Sequence, residues 1–283
     1  AQNMAAMPVQ FQKNVINFFP VTAAREMYEP FHKLKYSFAA TYYDQMRVAV
    51  PKLAKEKNAK KVCTMYQDDE FGLEVKRGAE DGLKANGMSL AAETTYKRGA
   101  TDFASQMQKL ASEQCDMVVL GTIIRETIGA IATAKRLGFN PTFIGSSAAY
   151  TDLIHKLGGP AMNGLYATMT VQHPYLDAAS QPIRFWANKY QTKFNEEPTV
   201  FSVYGYLAID AFIRAATKAG PNLSTDSFIK AMDTMTIPPD IFGSAEQTFG
   251  PTKRLGSNAT RISMLDNNRW KVVTEYINTT TGK

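Results

Sequence analysis

The sequence predicts an α/β protein built on a doubly wound parallel sheet, and two observations carry that expectation. The stretch 61–72, KVCTMYQDDEFG, sets an apolar run (Val62, Cys63, Met65, Tyr66) ahead of a polar break at Gln67, Asp68, Asp69 and Glu70. Such a run suits a strand buried on both faces. From there Phe71, Val75, Ala79 and Leu83 recur every four residues, a helix face closed by Gly87 as its C-terminal cap. The second observation is repetition of this strand, polar crest and helix. Residues 117–120 lead into a crest at 121–126 and a helix over 127–137 that stops at Gly138, and residues 141–145 lead into a crest at 146–150. Three such units in succession specify a parallel sheet with crossover helices. Crests of this kind sit at the carboxyl ends of strands, where ligands bind.

Taken in order, residues 1–10 form a small apolar helical segment (Met4, Ala5, Met7), and residues 15–19 a strand ending at Pro20, with a crest at 21–25. An extended piece at 36–40 leads into a helix over 42–55, with Val48, Leu53 and Ala54 inward and Pro51 marking an irregularity. Residues 90–96 read as a strand, and Thr101 as the cap of a helix carrying Phe103, Met107, Leu110 and Ala111 on one face. After an extended piece at 164–171 the pattern turns helical at 181–194, with Phe185, Trp186 and Tyr190, at 199–219, with Tyr204 and Tyr206 on one face and Leu207, Ala208 and Phe212 on the other, and at 225–235. These helices need another layer to pack on and return to the lobe begun by residues 1–38. Pro238, Pro239, Gly243, Gly250 and Gly256 mark a loop-rich passage. Residues 261–266 and 269–276, joined by a turn at Asp266, Asn267 and Asn268, form a terminal hairpin.

Composition narrows the function. At 283 residues, 45% hydrophobic and 20% charged, the chain has the make-up of a globular protein of two lobes. It has no run approaching the roughly 18 apolar residues of a membrane span. No charged and apolar leader precedes Ala1, so the chain reads as soluble, as processed, or as beginning late. The net charge of +6 comes from Lys and Arg spread along helix faces (Lys52, Lys55, Lys57; Lys76, Arg77, Lys84) without interleaved aromatics, which argues against nucleic acid as a partner. Cys63 and Cys115 follow no metal or scaffold spacing; they read as two buried thiols, with a disulfide open in an oxidising compartment. His32, His155 and His173 lack metal-ligand spacing. The chain carries no GxSxG, P-loop, HExxH or GxGxxG, and Asp68 and Asp69 are adjacent, leaving no enforced gap for a substrate. The reading is therefore not an enzyme and calls for no cofactor. Asp68 and Asp69 read as a solvated crest or as hydrogen-bond acceptors.

Five passages, FFPVTAARE, AKKVCTMYQDDEFG, TDFASQMQKLASEQCDMVVLGT, AIATAKRLGFNPTFIGSS and YGYLAIDAFIRAATKAG, occur here in one order. In that order, over residues 1 to about 277, the chain resembles the type I periplasmic solute-binding proteins of ABC importers, in the branched-chain amino-acid branch. The resemblance implies two α/β lobes of parallel sheet flanked by helices. Lobe I would comprise 1–40 and 171–260, and lobe II 41–170 and 261–283, with three interlobe crossings near Ala40, Thr170 and Arg261. Family members usually begin with further strands and helices of lobe I, so the resemblance also implies an incomplete lobe I here, with bared sheet edges and apolar faces.

The resemblance further implies a monomer outside the cytoplasm, periplasmic after signal-peptide cleavage or lipid-anchored, that closes its lobes on a small-molecule ligand and delivers it to a membrane permease. A ligand-sensing domain of the same fold is the alternative, and an α/β enzyme a remote one. By position, lobe I would contribute Gln2 and Asn3 from the end of a binding loop, Val21, Thr22 and Ala23, and Tyr204 from a helix. Lobe II would contribute Phe71, Ile123, Arg125 and Ser147. Ser147 stands where amino-acid-binding members carry a carboxylate for the ligand's ammonium, and Phe71 and Ile123 stand where tyrosines are common. This points to an organic acid with an apolar or aromatic body and no α-amino group, met by Arg125, Arg25 or crest amides, in preference to a branched-chain amino acid. The plainer role for Arg125 is a pair with Glu126 or a helix cap.

Overall fold

A computed structural model describes residues 2–282, with side chains from Asn3 onward. In chain order the elements are α1 (Gln2–Gln12), β1 (Asn17–Phe18), β2 (Lys35–Tyr36), α2 (Tyr42–Glu56), β3 (Val62–Gln67), α3 (Glu70–Ala85), β4 (Leu90–Tyr96), α4 (Ala104–Ser112), β5 (Met117–Gly121), α5 (Ile124–Arg136), β6 (Thr142–Gly145), α6 (Asp152–Gly158) and β7 (Tyr166–Met169). There follow α7 (Gln181–Phe194), α8 (Val200–Ala219), α9 (Thr225–Met232), β8 (Thr236–Ile237), β9 (Gln247–Thr248), β10 (Ala259–Asp266), β11 (Arg269–Val272) and β12 (Ile277–Asn278). The chain divides into two compact units, Ala1–Ala40 with Thr170–Asn258, and Thr41–Met169 with Ala259–Lys283.

The second unit is organised by an eight-stranded sheet in the order β11-β10-β7-β6-β5-β3-β4, with β12 pairing with β10. The five strands from β7 to β4 are parallel, whereas β10 runs antiparallel to β7 and to β11. The wholly parallel sheet expected from the crests is thus extended by the terminal hairpin into a mixed one. Its tight turn puts Asn267 and Asn268 at φ of 51° and 56°, the consecutive left-handed pair of a two-residue hairpin. Strands β3, β5 and β7 are buried at every position, because helices cover both faces of a parallel sheet. One core cluster joins Val62 of β3, Met117 and Val119 of β5 and Ile144 of β6 to Leu53 of α2 and Val75, Ala79 and Leu83 of α3.

Several sequence expectations are corrected here. Thr101 does not cap α4: Phe103 holds the cap position without a side-chain bond, and Asp102 Oδ1 accepts the Ala104 amide at 2.9 Å. The crest after β5 is shorter than expected and α5 begins at Ile124, so Arg125 lies in its first turn. The extended pieces at 15–19 and 36–40 contract to β1 and β2, the helix at 225–235 ends at Met232, and the second hairpin strand ends at Val272. Pro51 does not interrupt α2 and is buried within it. The reading of two thiols also gives way, since Cys63 and Cys115 are joined as a disulfide. Both are buried, Cys63 on β3 and Cys115 just ahead of the neighbouring β5.

In the first unit, β1 and β2 form a parallel pair. A second core cluster packs Phe19 and Tyr36 against Ala211 and Ala215 of α8 and Phe228 and Met232 of α9. The loop-rich passage is held by Arg254, only 3% exposed. Its Nη1 lies 3.0 Å from Asp233 Oδ1, which also accepts the Tyr36 hydroxyl at 2.8 Å. The guanidinium stacks over Tyr36, 4.5 Å from the ring centroid. On α8, Val203, Leu207, Ala211 and Ala215 form one buried stripe, while Phe201, Ile209 and Ile213 on another face are exposed. Phe212 is 43% exposed and packs by one ring face on Phe228.

The disulfide closes 52 residues of sequence, a loop whose restriction of the unfolded chain is worth about 4 kcal/mol. Replacing both cysteines by serine should lower the unfolding free energy by a few kcal/mol in urea melts. An unchanged midpoint would mean that the bridge adds nothing to the packing around it.

Candidate functional site

Within the parallel part of the sheet the strand order reverses between β3 and β5, with β4 to one side and β6 and β7 to the other. Such a switch point opens a crevice at the carboxyl ends of the strands, because the following helices leave to opposite faces. Phe71, Ile123, Arg125 and Ser147 all follow strands at this edge. Backbones approach closely there. A Cβ on Gly72 would lie 1.9 Å from the Gln67 carbonyl oxygen, and one on Gly121 would lie 2.7 Å from the Tyr66 Cβ. Glycine at both positions lets the start of α3 pack against the ends of β3 and β5.

The two helix starts at the switch point differ. At α3, Asp69 is the N-cap: its Oδ1 accepts the Gly72 amide at 3.3 Å, and its Oδ2 accepts from Gln67 Nε2 at 2.5 Å and Arg98 at 3.2 Å. A protein carboxylate therefore already occupies the positive end of that helix. Asp69 is thus a hydrogen-bond acceptor, one of the two roles expected for it, and also the cap of α3, which the sequence reading did not name. Phe71, in the first turn, meets Tyr42 edge-on at 5.0 Å.

At α5 the cap position falls to Ile123, which has no side-chain oxygen to offer. Thr127 turns its hydroxyl inward, 2.6 Å from the Thr122 hydroxyl and bonded to the Ile123 carbonyl. No side-chain cap bond is made to the first turn of α5 among the described residues. Arg125 is exposed and Glu126 buried, and Arg125 makes no ion pair among the described residues, so neither plainer role for it is seen. Nearby, the Tyr96 hydroxyl donates to the Gly121 carbonyl at 3.2 Å. Burial, reinforced by the negative charges of Glu126 and Asp69, holds this phenol far above its ordinary range, so it stays a protonated donor.

At the crest after β6, Ser147 is half-buried and its amide donates to Gln45 Oε1 at 3.0 Å. The Thr168 hydroxyl donates to the same oxygen at 2.8 Å. The Ser147 amide is therefore committed within the protein, whereas its hydroxyl bonds to no described residue. Sequence reasoning missed Gln45, although its register with Ala49 and Leu53 on the buried face of α2 was a signal that could have found it.

In the first unit the chain turns at Phe19, with φ of 46°, into the crest where Val21 is exposed and Thr22 and Ala23 are half-buried. Asn3 lies inside α1 and not in a loop, and its Nδ2 contacts Met27 Sδ at 3.4 Å. The side chain of Gln2 lies outside what is described. Tyr204 is half-buried, 5.5 Å from the Phe38 ring, and Phe38 in turn lies 5.7 Å from Phe19. One aromatic thus links Tyr204 to the base of the Val21 crest. Arg25 is paired with Glu29 at 3.2 Å. No group of three or more His, Cys, Asp or Glu side chains among the described residues is placed to hold a metal, and no described helix is long and apolar enough to cross a membrane.

A family model described as "Periplasmic binding protein" matches residues 1–268. The chain is 22% identical over 233 residues to "Leu/Ile/Val-binding protein homolog 8" of Brucella melitensis biotype 1, an alignment covering 80% of this chain and 57% of that protein. The chain thus spans little more than half the length of this relative. Among solved structures, a branched chain amino acid ABC transporter protein from Thermus thermophilus with bound valine superposes with a TM-score of 0.84 at 18% identity, over 97% of this chain and 75% of the other. A fatty acid ABC transporter substrate-binding protein from Thermomonospora curvata superposes with a TM-score of 0.81 at 19% identity, over 98% and 73%. At such identities the likeness is one of fold.

The contrast between the two helix starts is directly testable at α3. Asp69→Ala should cost about 1 kcal/mol of stability in denaturant melts, and Asp69→Asn only a few tenths, since asparagine caps nearly as well. Equal losses in both would assign the effect to charge and not to capping.

Proposed function

The chain belongs to the periplasmic binding protein family, and we propose that it is an extracytoplasmic solute-binding protein that delivers a small organic acid to the membrane permease of an ABC importer. The acid has an apolar or aromatic body and no α-amino group. It is held at the sheet-edge crests, Phe71, Ile123, Arg125 and Ser147 in one unit and Asn3, Val21, Thr22, Ala23 and Tyr204 in the other, with hinge closure securing it.

The observation that carries this reading is the uncapped start of α5 beside an exposed Arg125 that makes no ion pair among the described residues. Free first-turn amides and the positive end of the helix dipole favour an anion by roughly 0.3–1 kcal/mol when exposed and up to about 2 when partly enclosed. A guanidinium adds paired hydrogen bonds to a carboxylate. Arg25 is the weaker candidate, because Glu29 already neutralises it.

Ser147 brings no negative charge to the crest after β6, and enclosing a ligand ammonium without a counter-charge would cost several kcal/mol. Phe71 and Ile123 add apolar walls without hydroxyls. A fatty acid, the cargo in the printed name of one structural neighbour, has this chemistry: a carboxylate, an apolar body and no amine.

The test is thermal shift on protein stripped of carried-over solute by unfolding and refolding, against hexanoate, phenylacetate, 4-methyl-2-oxopentanoate, leucine and valine. A solute at 100 times its dissociation constant stabilises by about 2.7 kcal/mol. The three acids without an amine should raise the melting temperature, and Arg125→Gln should weaken the acid that does so about tenfold or more, 1.4 kcal/mol, by calorimetry. A rise with leucine and valine alone would overturn the choice of solute while leaving solute binding intact.

A further inference from the structure

Gln45 lies in the first turn of α2 and is 1% exposed. Polar side chains this deeply buried are held by hydrogen bonds, and leaving one unmet is costly. Its Oε1 accepts from the Ser147 amide at 3.0 Å and from the Thr168 hydroxyl at 2.8 Å. A backbone amide can only donate, so the atom facing it must be the carbonyl oxygen, and two donors fill both of its lone pairs. The orientation of Gln45 is thereby fixed.

The location of these bonds matters. Gln45 follows the passage of the chain between units at Ala40 and Thr41 by four residues, and Thr168 precedes the passage at Met169 and Thr170 by one. Thr260, just past the third passage at Asn258 and Ala259, donates its buried hydroxyl to the Met169 carbonyl at 3.2 Å. Gln45 thus joins the crest bearing Ser147 to α2 and β7, and β7 is tied to β10 by Thr260. Each of these elements carries the chain toward or from the other unit.

We infer that Gln45 is a positioning residue of the solute site. By taking the Ser147 amide it fixes the crest after β6, leaves the neutral Ser147 hydroxyl as the group that crest offers, and ties the crest to the segments through which the chain changes units. The inference rests on the solute-binding reading above for its link to the ligand, but the hold on the crest stands on geometry alone.

The experiment compares Gln45→Met, which keeps the volume and removes the acceptor, with Thr168→Val, which removes the other donor to the same oxygen and leaves the crest bond. The first readout is exchange of the Ser147 amide by NMR in the solute-free protein. Exchange should quicken about tenfold or more in Gln45→Met and stay within about twofold of wild type in Thr168→Val. The second is affinity for hexanoate and phenylacetate, expected to fall about tenfold in Gln45→Met and by less than about threefold in Thr168→Val. Gln45→Asn, which withdraws the acceptor by one methylene, carries the same comparison should Gln45→Met fail to fold.

Equal effects of the two substitutions on both readouts would reduce Gln45 to a generic core contact and overturn the inference, as would a Ser147 amide already exchanging freely in the wild type. If wild type binds neither acid while the exchange pattern holds, the choice of solute fails and the hold on the crest survives.

Discussion

Strands β3, β5 and β7 are buried along their whole length, so nothing on their faces can meet a solute. Polar chemistry in this unit is pushed to the carboxyl edge, where backbone groups leave the ladder and helices begin. The space there is set by backbone contacts as much as by side chains. Gly72 and Gly121 allow helix start and strand ends to touch, which brings the crests after β3 and β5 side by side at the reversal of strand order. The disulfide joins those same two strands at their opposite ends.

With the edge fixed in this way, selectivity comes from which polar groups the protein spends on itself. The start of α3 is taken by the Asp69 carboxylate, and the Ser147 amide by Gln45. The start of α5 is left open because an isoleucine stands where a capping residue would. A helix start without a cap forgoes about 1 kcal/mol of local stability. Under the proposed function, an arriving anion would recover that deficit on binding.

The strands and helices of the second unit were legible because hydrophobic periodicity decides them. A continuous apolar run gives β3 and β5, and a four-residue step gives α3. The bounds of α7 were also readable, with Gln181 to Phe194 standing between the breaks at Ser180 and Asn195. Misreadings fall where side-chain oxygens choose a boundary. Thr101 has a capping side chain but sits too early, while α5 starts at a residue that no capping rule marks. The cysteine pairing was not legible because 52 residues separate its members, and only the register of β3 on β5 brings them together. On α8 apolar residues stand on two faces, and periodicity cannot say which is covered.

Of the candidate site, the sequence located the crests but not the state of their groups. Residues following a buried strand are readable from the strand. Whether a crest amide is free depends on a partner more than a hundred residues away, as Gln45 is from Ser147. Gln45 stands on the apolar face of α2, with Ala49 and Leu53 one and two turns on, so periodicity marks it as inward-facing but cannot name the donors its side chain meets. The same distance in sequence is what makes the contact informative. Releasing the Ser147 amide would leave the buried Gln45 oxygen short of a donor, which opposes movement of the crest. Under the proposed function, an apolar-bodied acid would meet the Ser147 hydroxyl at this crest, and the uncapped helix start at α5 would meet its charge.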